Sequence, residues 1–190
     1  MSIVLFLGRN VKEYTAESEQ AIQELLEAGS LRCDLCLEPM KRHSSYGRGI
    51  KETGEQVKII IVRCKPCNKG HALLPDFLLP RKHYSGNEIE SVIIESASLS
   101  AEEIETEASL STVRRWIAQV GAGIGRASGI IKYLFKRAGK AISELYIEPG
   151  SPYSELEQLL EMAPKRLKNS GNKLGLANLW IGTNEVRAYI

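Results

Sequence analysis

Every cysteine in the chain sits in a Cys-x-x-Cys pair: Cys33 with Cys36, and Cys64 with Cys67. This constrains the fold more than any other feature, because the spacing is a coordination pattern. A Cys-x-x-Cys turn aims two thiolates at one ion, and two such turns complete a tetrahedron with metal–sulfur distances of about 2.3 Å. The 27 residues between the pairs carry strand signals. Together they predict a small four-cysteine zinc ribbon, a β-hairpin gripped by two knuckles. Iron is the main rival to Zn2+, since a thiolate tetrahedron suits both. A thioredoxin-like redox site would need one such pair beside a βαβ unit, not two flanking a hairpin. Four cysteine ligands leave no open position for water, so the ion should fold the module and do no chemistry. His71, four residues after Cys67, reads as a histidine in the strand leaving the knuckle.

The expected compartment favours metal over disulfide. Ile3–Leu7 is apolar, but no cationic region precedes it, and Gly8, Arg9 and Asn10 end it too early for a signal peptide. No apolar run approaches the roughly 20 residues of a membrane helix. A cytoplasmic, non-membrane protein is the simplest expectation, and reducing surroundings favour metal-binding cysteines. With 190 residues, 43% hydrophobic and 25% charged, the composition is that of a globular chain.

The patterns divide the chain into four regions of an α+β protein. Residues 1–30 hold a strand at Ile3–Leu7 and a helix at Tyr14–Ala28. Residues 31–85 hold the ribbon, with Val57–Val62 as one strand, Met40–Ile50 as its hairpin partner and a Pro-bracketed connector at Asp76–Leu79. Residues 86–145 turn helical, with one helix around Ile89, Val92 and Ile93 and a shorter one at Glu102–Thr106. A third starts at Val113 with Ser111 or Thr112 as its N-cap, is loosened or broken over Gly121–Gly129, and resumes as a basic helix at Ile130–Ala141. Residues 146–190 hold a final helix at Ser154–Leu167 and a mixed tail.

A net charge of +2 conceals an uneven distribution. From Gly86 to Thr112 there are seven glutamates and no basic residue; from Val113 to Lys140 there are seven basic residues and no acidic one. Lys132, Lys136 and Lys140 recur at helical spacing, a footprint suited to phosphate contact. Between the two segments, residues 107–116 read as the turn and recognition helix of a helix-turn-helix. Ala108, Val113 and Trp116 would face the core, while Ser109, Ser111, Thr112, Arg114 and Arg115 would lie at the end that enters the major groove. Glu107 stands where such a turn usually has Gly. The glycines at 121–125 do not form a dinucleotide loop, because Arg126 and Ser128 occupy the last required glycine position.

The stretch from Arg63 to Ser85, with Cys64-Lys65-Pro66-Cys67 followed by His71-Ala72-Leu73-Leu74-Pro75-Asp76-Phe77-Leu78-Leu79-Pro80, resembles an uncharacterised family of bacterial, Firmicutes-type proteins. In that family a hairpin with two Cys-x-x-Cys knuckles precedes a helix-turn-helix ending as Ser111-Thr112-Val113-Arg114-Arg115-Trp116 does here. Its members resemble the N-terminal, DNA-recognising region of insertion-sequence transposases, so the resemblance implies zinc and DNA binding. Gly70 departs from the threonine expected before the histidine.

The expectation is therefore a zinc-binding, duplex-DNA-binding protein of transposase-like or regulatory type, with no nuclease domain and no enzymatic activity. The alternative is a protein–protein interaction adaptor, in which acidic and basic helices pair with each other, with a second copy or with a protein partner. RNA binding by the ribbon ranks below both: residues 31–85 hold eleven basic against five acidic side chains, but few aromatics.

Overall fold

A computed structural model describes residues 2–8, 10–33, 35–137, 147, 150–162 and 172–183. The β-branched run predicted as a strand lies within β3 (Gln56–Cys64), with Val57, Ile59, Ile60 and Val62 buried. It pairs antiparallel with β2 (Lys41–Gly49), from Lys41 opposite Arg63 to Gly49 opposite Gln56, with an irregularity between Arg42 and Ser44. On its other side β4 (Lys69–Pro75) runs antiparallel, and β1 (Ser2–Leu5) adds to β4 in parallel. The sheet order is β1-β4-β3-β2, which leaves β2 at an edge with both faces of its first seven residues exposed.

Helix α1 (Val11–Glu27) covers one face of this sheet. Asn10 caps it by accepting from the Glu13 N–H at 3.0 Å, and Tyr14, Ser18 and Ile22 turn inward. The Tyr14 hydroxyl donates to the Lys58 carbonyl at 2.9 Å, and burial pushes its pKa up to about 12. Glu19 reaches both Arg42 and Lys58. Arg42 pairs with Val62, and residues paired across strands share a face. The α1 side therefore carries Arg42, Lys58, Ile60 and Val62, and the opposite side carries the pairs Lys41–Arg63, Ser44–Ile61 and Tyr46–Ile59.

The second half is mostly helical: α2 (Gly86–Glu95), α3 (Leu110–Arg137), α4 (Pro152–Glu161) and α5 (Lys173–Thr183). Ser85 and Ser151 cap α2 and α4 through their side chains, and Pro152 occupies the first turn of α4. Val113, Trp116, Val120, Ile124, Ala127 and Ile131 make one buried stripe along α3, at the spacing that periodicity predicts. Trp116 meets Tyr84 edge-on at 4.8 Å, tying α3 to the segment leaving the sheet. Glu90 joins three helices: it accepts from the Tyr153 hydroxyl at 2.7 Å and the Leu174 N–H at 3.0 Å. Gly175 passes directly against the Asp76 carbonyl, a position with no space for a Cβ.

Several expected boundaries move. Glu102–Thr106 is not a helix: residues 101–103 form a turn and the chain then runs irregularly to Ser109. Glu103 accepts from the N–H and hydroxyl of Ser100, a local bond that competes with helix formation. α3 starts at Leu110, and the Ser109 carbonyl, not a cap at Ser111 or Thr112, receives the first N–H groups. It passes through Gly121–Gly129 unbroken, because the buried stripe on either side outweighs the cost of glycine in a helix. The helix placed at Ser154–Leu167 ends at Glu161 and is not the last; α5 follows where a tail was expected. Residues 138–141 and 163–167 of the expected helices lie outside the described residues.

Candidate metal centre

The four cysteines come together at one end of the hairpin. Cys33 and Cys36 sit within the segment closed by the Arg32–Pro39 bridge, and Cys64 closes β3, with the turn at residues 65–68 leading into β4. The sulfurs of Cys33, Cys36, Cys64 and Cys67 all lie within 4.8 Å of one another, and Cys36 Sγ is 3.4 Å from Cys64 Sγ. A tetrahedron with 2.3 Å bonds has edges of about 3.8 Å, so the quartet has the dimensions of a single-ion site. All four are free thiols rather than disulfides. The donor set fits a metal ion.

Local backbone geometry aims them. Asn68, at φ 52°, and Leu37, at φ 61°, take the left-handed conformation just after each knuckle and turn the chain back into the sheet. Cys33 and Cys64 are buried, Cys36 and Cys67 half-buried. The Leu35 N–H donates to Cys33 Sγ at 3.5 Å, as backbone amides do in thiolate turns. Burial opposes the Cys33 thiolate, but the amides of Leu35 and Cys36 and the neighbouring thiols bring its pKa below the usual value. Cys67 is pushed up to about 12, chiefly by its contact with Cys36 and then by burial. Four thiols this close resist ionising together unless a cation neutralises them. Buried His71 stands behind the cluster in β4, with Nε2 4.0 Å from Cys33 Sγ.

The residues assigned to DNA contact are less united. Ser109, Ser111 and Thr112 cluster at the start of α3, where the Ser109 hydroxyl is 3.2 Å from that of Ser111 and 2.9 Å from that of Thr112. Arg114 is ion-paired to Glu102 of the acidic segment, and Lys132 to Glu155 of α4 at 2.6 Å. Lys136 is exposed in the last turn of α3, and Lys140 lies outside the described residues. The connection from α2 to α3 runs from Ser96 to Ser109, far longer than the turn of a helix-turn-helix, although Val113 and Trp116 do face the core.

Sequence reading missed a second cationic group. Lys41, Arg42, His43, Arg63 and Lys65 line a cleft of about 370 Å³ beside the second knuckle. A smaller one of about 290 Å³, lined by Tyr46, Arg48, Arg81, Lys82 and His83 among others, opens at the far end of the sheet. Among the described residues, no carboxylate lines either. Arg115 lies beside Lys82, whose pKa is lowered by burial and by that neighbouring charge. The excess of basic residues in 31–85 was visible in the sequence, but their convergence depends on strand register.

The fold and the site define an α+β protein with four clustered cysteines capable of holding a metal ion. Residues 33–116 match the model of a domain of unknown function, DUF6431. That span runs from the first cysteine to Trp116 and so contains both knuckles, the hairpin and the start of α3. No curated protein and no solved structure matches the chain. Among the described residues, no helix is long and apolar enough to cross a membrane.

Proposed function

We propose that the chain is a Zn2+-binding, nucleic-acid-binding protein of transposase-like or regulatory type, in which the ion is structural. Cys33, Cys36, Cys64 and Cys67 would hold Zn2+, and a bound Zn2+ would supply folding energy to a sheet whose edge strand has little core of its own. The closed thiolate set favours Zn2+ over a catalytic metal, which needs an open position.

The observation that carries the nucleic-acid reading is a pair of cationic clefts at the two ends of the sheet. One, beside this centre, holds Lys65, Arg63 and Lys41; the other holds Arg81 and Lys82, with Arg115 near Lys82, and no carboxylate is among the described residues lining either. Polyanions bind such surfaces through counterion release. Duplex DNA remains the partner implied by the sequence, with Arg115 as the sequence-assigned residue that adjoins the second cleft. The test is metal analysis of the purified protein followed by titration with duplex DNA, single-stranded DNA and RNA across a salt series. A steep loss of duplex affinity with salt, weakened further in Arg115→Ala, supports the duplex assignment; no binding at low salt to duplex DNA, single-stranded DNA or RNA overturns the nucleic-acid reading.

A specific observation favours the adaptor as second reading. Arg114 and Lys132 are already paired with Glu102 and Glu155, so part of the basic helix is engaged within the chain. A protein partner or second copy would then use other surfaces, and nucleic acid would not bind.

A further inference from the structure

We propose that the side of the sheet opposite α1 binds single-stranded nucleic acid, with an unpaired base stacked on Tyr46 and phosphates held at both ends of the face. This rests on the nucleic-acid reading above and names the form of polymer and the surface that takes it.

Three observations converge on that face. First, it is open along its β2 edge. Lys41, Ser44 and Tyr46 of β2 are exposed, while Ile61 and Arg63 of β3 and Ala72 of β4 are half-buried beside them. Ile59 opposite Tyr46, and Leu74 and Val4 beyond it, are buried, so the open strip follows β2 rather than crossing the whole face. α1 lies on the other side, where Glu19 binds Arg42 and Lys58. Second, its two ends are cationic and its middle is neutral. Lys41, Arg63 and Lys65 gather at the knuckle end, and Arg81 and Lys82 at the other. Among the described residues these cations have only neutral partners: Arg63 donates to Asn68 Oδ1, and Lys82 to Gln119 Oε1 at 3.1 Å. Between the ends, Ser44 on β2 and Ala72 on β4 are small and flank the half-buried Ile61. Third, Tyr46 borders the far cationic cleft, with Arg81 and Lys82, and keeps 42% of its surface exposed, although an aromatic ring gains most from burial.

The arrangement selects a single strand over a duplex. Paired bases are stacked inside the helix and offer Tyr46 no face, whereas an unpaired base can lie flat on the ring. Every base has such a face, so the surface would tolerate sequence and discriminate by strandedness. At ~3.3 Å per residue, Lys41 to Arg48 spans roughly 23 Å, enough for a few nucleotides, near the lower end of known single-strand sites. The cations at the two ends would then meet phosphates a few nucleotides apart along the strand, with the stacked base near the far end.

The test measures anisotropy of labelled oligothymidylate, oligouridylate and a duplex of equal length, using metal-loaded full-length protein. Wild-type protein should bind a single strand at low salt. Tyr46→Ala should weaken that by at least about fivefold, the low end for losing one stacked base. Tyr46→Phe should retain it, and both variants should keep the wild-type metal content. An unchanged single-strand affinity in Tyr46→Ala, or wild-type binding of duplex alone, overturns this inference and leaves the broader reading standing. Binding of neither polymer overturns both. An acidic peptide bound as tightly as the oligonucleotides would identify the face as a protein-docking surface instead.

Discussion

Cys67 illustrates how one side chain depends on the ion the cluster is built for. Its thiol is pushed up to about 12 by Cys36 and by burial, whereas a metal-bound cysteine must be a thiolate. Metal uptake should therefore release protons, and affinity should fall as pH is lowered, measurable by competition with a chromophoric chelator. Replacing any one ligand, for example Cys64→Ser, should lower metal content and reduce thermal stability together. Glu19 provides a pH effect of opposite origin. Arg42 and then Lys58 hold its carboxyl down to about 2 from an ordinary 4.5. A depressed carboxylate pKa contributes stability above the unfolded value, and that contribution is lost as pH falls from about 4.5 towards 2. Because the pair is well exposed, Glu19→Gln should cost less than about 1 kcal/mol at neutral pH and nothing below pH ~2. Chemical denaturation at the two pH values checks both.

At the scale of elements, the glycines of α3 and α5 should respond in opposite directions. Gly121, Gly125 and Gly129 lie within a continuous helix with open space where a Cβ would point. Each replacement by Ala should stabilise the protein by about 0.5–1 kcal/mol, because glycine loses more backbone freedom on entering a helix. Gly175→Ala should instead destabilise by about 1–3 kcal/mol, since a Cβ there would collide with the Asp76 carbonyl. Denaturant midpoints of the four variants test the contrast.

The same elements indicate what the sequence could reveal. Local signals were sufficient for β3, whose β-branched run forms the predicted strand, and for the body of α1, whose apolar stripe was legible although the Asn10 cap starts it at Val11, three residues before the expected Tyr14. The clustering of the four cysteines followed from their spacing alone. The glycine run in α3 misled because local propensity favoured a break, while the core stripe, a tertiary effect, holds the helix together. The acidic helix at Glu102–Thr106 had only a short apolar pattern behind it, and side-chain bonds from Ser100 to Glu103 take its place. The cationic face was invisible as a face. Lys41, Arg63 and Lys82 are distant in sequence, and only the β2–β3 register and the return of the chain after β4 bring them together.

Over the whole molecule, a net charge of +2 reflects segregation rather than neutrality. Some of the segregated charge is neutralised internally, in Arg114–Glu102 and Lys132–Glu155, and the open sheet face keeps cations with no carboxylate beside them. Salt dependence should locate the binding surface. If Lys41 and Arg63 each contact a phosphate of a single strand, the double alanine variant should lower the slope of log affinity against log salt by about 0.7 per lost contact. Alanine at Lys132 should leave that slope unchanged, because that cation is paired to Glu155.

All of this depends on the metal centre holding β2 and the second knuckle in register. Native mass spectrometry of protein purified without added metal tests that claim most directly. The predicted result is a compact charge-state distribution at the chain mass plus one zinc, which Cys→Ser substitution at the cluster removes. A compact, metal-free protein carrying four free thiols would contradict it.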